Sequence, residues 1–124
     1  MAEKIFDVKE RTYRFALEVI RFLRQLPDDH VARTIGQQLL RSATSIGANL
    51  VEAQACNSKK DFANFYTYAL KSANESKFWF GLLKDSGVVT AERVSPLLSE
   101  TCELANILAA SILTLKGKRK LVAF

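Results

Sequence analysis

The stretch FANFYTYALKSANESKFWFGLL, residues 62–83, decides the fold. Within it Phe62, Tyr66, Ala69, Ala73, Ser76, Phe80 and Leu83 recur at steps of four and three without a break, which is the spacing that aligns side chains on one face of an α-helix. Bulky residues stand at both ends of this seam and small ones in its middle. A second helix is therefore expected to cross closest between Ala69 and Ser76. Tyr68, Ser72, Glu75, Trp79 and Leu82 form another stripe beside the seam, so the helix carries more apolar width than a single core requires. Ser58, with Asp61 three residues on, is its expected N-cap, and Gly87 its expected stop.

Working outward, three more helices follow from the same logic. The first spans about residues 6–26 and ends at Pro27. Val8, Phe15, Val19, Phe22 and Leu26 make one stripe on it, and Tyr13, Ala16, Leu17, Ile20 and Leu23 a second. Together the stripes cover roughly 220° of its circumference, whereas an ordinary surface helix needs about 100°. Asp28 and Asp29 are plausible caps for a second helix over about 31–56. Its seam is Ala32, Ile35, Leu39, Ala43, Ile46, Leu50 and Ala53. The third helix covers about 59–86. Thr90 is the expected cap of a fourth, over about 91–116, with its apolar face on Val94, Leu97, Leu98, Thr101, Leu104, Ala105, Leu108, Ile112 and Leu115. Pro96 falls within its first turns, where proline is tolerated.

Four helices joined by short links imply an all-α, antiparallel up-down-up-down four-helix bundle. Residues 1–117 read as that bundle and 118–124, KRKLVAF, as a basic and apolar tail. At 124 residues, 48% of them apolar and 25% charged, the chain suits one domain with a real core. Cys56 and Cys102 belong to no CxxC motif and read as buried or half-buried thiols in a reducing cytoplasm. The N-terminal MAEKIFDVKERTYRF mixes acids with bases and lacks the apolar core of a signal peptide, and no uninterrupted apolar run approaches the length of a membrane span. A cytoplasmic protein without membrane partners is the expectation.

Little in the chain suggests chemistry. His30 is the only histidine and is expected in a turn just after Asp28 and Asp29, so the ExxH ligands of a dinuclear metal bundle are missing. Glu100 and Glu103 read as a solvated helix face. The five glycines are scattered, which excludes a phosphate-binding glycine loop, and neither a GxSxG elbow nor a Cys/His pair can be built. The expectation is a protein that is not an enzyme and needs neither cofactor nor metal. Eighteen Lys and Arg against thirteen Asp and Glu leave a net charge of +5, a balance that favours polyanionic partners.

The second helix holds a local anomaly, RSATSIGANLVEAQ at residues 41–54. Ser42, Thr44, Ser45, Gly47 and Asn49 together forgo roughly 3 kcal/mol of helix propensity relative to alanine. Thr34, Gln38, Arg41, Ser45, Asn49 and Glu52 gather on the side away from the apolar seam. Solvated faces favour Lys, Glu and Gln over Ser and Asn, so a packed polar contact is expected there. Arg41 and Glu52 stand roughly 16 Å apart along a helix and cannot pair directly. Glu75 is the candidate partner for Arg41, within the bundle or across a subunit boundary, in a pair that would set register more than add stability.

At these residues the chain resembles the four-helix-bundle proteins known as 23S rRNA intervening-sequence proteins. Their pattern runs approximately R-x-x-x-S-I-P-A-N-I-A-E-G, then S-x-x-E-F-x-x-F-x-x-x-A-x-G-S-x-x-E. Arg41, Ser45, Ile46, Ala48, Asn49 and Glu52 match the first block. Ser58, Asp61, Phe62, Phe65, Ala69, Ser72 and Glu75 match the second. Gly47 replaces the usual proline and Ala53 the usual glycine. The resemblance implies a bundle that assembles into a ring, usually a homopentamer, with Arg41, Ser45, Asn49, Glu52, Ser72 and Glu75 as structural or interface residues. A related group, the accessory proteins of diversity-generating retroelements, forms pentameric basic bundles that bind nucleic acid and a reverse transcriptase, which by analogy implies RNA or DNA and a protein as partners.

Two functions compete. One is a non-enzymatic oligomer that binds RNA or DNA through Arg11, Arg14 and Arg21 on the first helix, Lys59 and Lys60 at the start of the third, and Lys116, Lys118, Arg119 and Lys120 at the tail. The other is an oligomeric scaffold or adaptor that holds a protein partner without nucleic acid, using Tyr68, Phe78, Trp79 and the apolar LVAF.

Overall fold

The computed structural model describes residues 7–117. Four helices account for nearly all of them: α1 (Val8–Leu23), α2 (His30–Gln54), α3 (Lys59–Asp85) and α4 (Ala91–Leu115). Each packs against its sequence neighbours, and α4 closes the ring against α1. The bundle is antiparallel and up-down-up-down, as the seams require. Packing is most extensive between α2 and α3 and between α3 and α4, and among neighbouring helices least between α1 and α4.

The ends of the helices follow their local chemistry. Asp7 caps α1, its carboxylate accepting the Glu10 amide at 3.2 Å; the expected start at Phe6 lies outside the described residues. At the other end α1 stops at Leu23, three residues earlier than expected. Gln25 and Leu26 donate to carbonyls three residues back, a tighter turn that carries the chain out of the helix before Pro27, whose ring disfavours helical geometry at Leu26. Asp29 caps α2 through the Ala32 amide at 2.9 Å, and Ser58 caps α3 through the Asp61 amide at 3.0 Å. Thr90 stands at the N-cap of α4, but its side chain makes no capping hydrogen bond. Gly87 and Gly117 end α3 and α4 at φ of +81° and +80°, the left-handed geometry that favours glycine.

The seams meet in one core. Phe15 and Val19 of α1, Leu39, Ile46 and Leu50 of α2, Phe80 and Leu83 of α3, and Leu104 and Leu108 of α4 are all buried. Between α2 and α3 the contact is made of small residues, with Ser42, Ala43, Ala69, Ala73 and Ser76 fully buried. There Ser42 Oγ and Ser76 Oγ lie 2.8 Å apart and one donates to the other, so the crossing is closest where the small residues of the seam predicted it. The half-buried Cys56 fits the sequence reading, whereas Cys102 is exposed. By length and mean hydropathy, 1.2 over its best window, α4 is apolar enough to cross a membrane. Its Val94, Leu104 and Leu108 are buried in the bundle core, and Glu100 and Glu103 interrupt its apolar sequence.

Candidate nucleic-acid interface

The cations named from sequence separate into two groups. On α1, Arg11 is bound to α4: its guanidinium donates to both Glu100 oxygens at 2.7 and 2.8 Å and to Glu103 at 2.5 Å. Those bonds raise its pKa, Glu100 contributing most and Glu103 next. A guanidinium so engaged is a clamp between helices, and Glu100 and Glu103 are its acceptors instead of a bare solvated face. Arg14 pairs with Glu10 and Arg21 with Glu18 on the same helix, exposed pairs of the kind that are worth a few tenths of a kcal/mol.

The second group sits at one end of the molecule. Because α3 runs antiparallel to α4, the first residues of α3 and the last of α4 share an end, which brings Lys59 and Lys60 to the end carrying Lys116. All three are exposed, and none makes an ion pair with another described residue. Lys118, Arg119 and Lys120 lie outside the described residues and follow Gly117 in sequence. Charge is distributed in the same sense. Residues 7–117 hold fourteen Lys and Arg against twelve Asp and Glu, so the remaining excess comes from Lys4, Lys118, Arg119 and Lys120 against Glu3 alone.

The polar residues of α2 and α3 form a separate cluster. Arg41 pairs with Glu75 within the subunit and also donates to Gln38 at 3.0 Å. Trp79 Nε1 donates to the same Glu75 carboxylate at 2.9 Å. The Glu75 carboxyl is held below the usual carboxylate range, first by the Trp79 hydrogen bond and then by Arg41. Ser45 and Asn49 turn back on their own helix: Ser45 Oγ donates to Arg41 O at 2.7 Å and Asn49 Nδ2 to Ser45 O at 2.8 Å. Glu52 is exposed. Ser72 contributes its carbonyl, which accepts the Ser76 hydroxyl at 2.9 Å. The i, i+4 spacing of Glu75 and Trp79 in one stripe was the available signal for the Trp79 bond. Ser76 stood in the apolar seam, and a buried hydroxyl there demands a partner; that was the available signal for Ser42. No group of His, Cys, Asp and Glu suited to a metal occurs among the described residues.

A family model described as 23S rRNA-intervening sequence protein matches residues 4–110. The chain belongs to that family. The crystal structure of a protein of unknown function from the S23 ribosomal protein family of Bacteroides thetaiotaomicron VPI-5482 is 34% identical to it, covers 85% of this chain and 97% of its own, and superposes with a TM-score of 0.77. No curated protein matches. Gly47, where the resemblance led us to expect proline, has a local reason in this chain. A Cβ at Gly47 would stand 3.0 Å from Thr12 Oγ1 and 3.4 Å from Thr12 Cβ, so the glycine lets α1 lie directly on α2.

Proposed function

We propose that the protein is a non-enzymatic, self-associating bundle that binds RNA or DNA at the end carrying Lys59, Lys60, Lys116 and the tail bases Lys118, Arg119 and Lys120. The observation that carries this reading is the convergence of three exposed, unpaired lysines, among the described residues, on the end from which the basic tail leaves. Phosphates need cations that are free to meet them, and releasing counterions from the polyanion provides the driving force. Arg11 belongs to the fold. Arg14 and Arg21 are secondary contacts whose weak pairs a phosphate can displace.

Self-association rests on two apolar areas. Tyr13 on α1 is 66% exposed and Val51 on α2 is 64% exposed, while Phe78 on α3 is 58% exposed with the exposed Leu82 one turn on. Monomers rarely leave such large groups bare in clusters. Two different areas suit a head-to-tail contact, which closes into a ring when the rotation allows, in keeping with the pentamer that the family resemblance implies. A ring would repeat the cationic end once per subunit and multiply its avidity.

The adaptor reading is favoured by a different observation. Between α1 and α4 runs a groove of about 1010 Å3 with Phe15, Phe22 and Leu97 on its floor and a rim of both charges, Arg14, Arg21 and Arg93 beside Glu10, Glu18 and Glu92. A partner helix with an apolar stripe and mixed-charge flanks would suit it. Binding assays on structured RNA and duplex DNA across a salt series separate the two. The nucleic-acid reading expects binding that weakens steeply with salt and falls about ten-fold or more in Lys59→Gln/Lys60→Gln/Lys116→Gln. Absence of binding at about 50 mM salt, where phosphate contacts are strong, would leave the adaptor.

A further inference from the structure

Among the described residues, no helix packs on α3 and α4 below the start of α1. Arg11 meets Glu100 and Glu103, and α1 and α4 run antiparallel, so α4 continues for about three turns past the level where α1 begins. The exposed slot is an apolar groove of about 460 Å3 lined by Phe62 and Tyr66 of α3 and by Ile107, Ala110, Ser111, Thr114 and Leu115 of α4. Phe62 and Tyr66 stack at 4.9 Å between ring centroids and belong to the core seam of α3. Among the described residues this half-buried apolar surface has no helix packed over it.

We propose that the groove is the seat of the chain's own Leu121, Val122 and Phe124. The groove begins at Thr114 and Leu115, immediately before Gly117. Gly117 donates to Thr114 O at 3.0 Å with φ at +80°, the turn that ends a helix by swinging the chain aside. Seven residues follow it, with a reach of about 23 Å when extended, against about 12 Å of α4 from Leu115 back to Ile107. The first three, Lys118, Arg119 and Lys120, span the exit, and the apolar residues after them come level with the groove. The Tyr66 hydroxyl, whose pKa is raised by burial alone, offers a donor to a backbone carbonyl of the seated segment. Seating the apolar residues folds the three tail bases into a loop beside Lys59, Lys60 and Lys116. Crowding these cations is unfavourable without a polyanion and makes the end bind one more strongly. That consequence rests on the nucleic-acid reading above; the seating does not.

Disulfide trapping tests the seating in the absence of nucleic acid. In the full chain with Cys56→Ser and Cys102→Ser, Ser111→Cys paired with Val122→Cys is expected to close within single chains under mild oxidation, independently of protein concentration. Gln37→Cys paired with Val122→Cys, at the far end of α2, is expected to stay reduced. Closure no faster than that control would overturn the proposal. So would a disulfide formed between two copies, or capture of Ser111→Cys by Phe6→Cys in preference to Val122→Cys. For the consequence, Leu121→Ser/Phe124→Ser keeps every base and is expected to weaken nucleic-acid binding several-fold. Unchanged affinity in that variant would overturn the loop's role. A chain that traps the tail but binds no nucleic acid would sink the functional reading and leave the seating intact.

Discussion

At Gly47 one missing methyl group sets how closely two helices approach. Alanine there gains about 1 kcal/mol of helix propensity, but its Cβ meets Thr12, a buried β-branched residue whose hydroxyl is already donated to Lys9 O at 2.9 Å. Thr12 has little freedom to yield. Gly47→Ala is therefore expected to destabilise the bundle by about 1 kcal/mol, in the range of mild overpacking. In a Thr12→Ala background the same change is expected to stabilise, and denaturant melts of the four variants read this inversion directly. Glu75 supplies a second test at this scale. Its folded pKa lies below its ordinary value because Trp79 and Arg41 favour the carboxylate. The resulting stability is present above the ordinary carboxylate pKa and is lost as pH falls through the lowered one. Wild type should exceed Glu75→Gln in thermal stability at neutral pH, and the gap should close in acid. A gap independent of pH would show that the carboxylate's charge contributes nothing.

Among the elements α1 stands apart. It is the shortest helix, 16 residues against 25 to 27 for the others, and its contact with α4 is less extensive than that of any two helices consecutive in sequence. Arg11 is its main polar tie across that gap. Amide hydrogen exchange is expected to be fastest in α1, and Arg11→Ala should accelerate it further while leaving α2 and α3 nearly unchanged. The helices themselves were legible because each seam keeps its period over many turns, and the α2–α3 crossing was legible because small residues gather at Ala69, Ala73 and Ser76. Register was not. Arg11 and its glutamates are 89 and 92 residues apart in sequence, and only the packed rotation of α1 against α4 brings them together. For the same reason an arginine that reads as a phosphate ligand in sequence proves to be a clamp.

At the scale of the whole molecule, charge placement outweighs net charge. The body of the bundle is nearly neutral, and Lys59, Lys60 and Lys116 meet at one end because chain topology puts the start of α3 beside the end of α4. Sequence reading had named every member of that end without showing that they adjoin, since adjacency follows from an antiparallel order and not from spacing. The exposed Tyr13, Val51 and Phe78 predict a solution mass well above 13.9 kDa, concentrated in one discrete species as closed assembly requires. The most direct test of the account is the salt dependence of nucleic-acid binding by wild type, by Lys59→Gln/Lys60→Gln/Lys116→Gln, and by Arg14→Gln/Arg21→Gln. The triple variant is predicted to lose about ten-fold or more in affinity and about three units of logarithmic salt slope, whereas the arginine variant stays close to wild type. Equal losses in both variants, or no binding by wild type at about 50 mM salt, would contradict the assignment of that end as the interface.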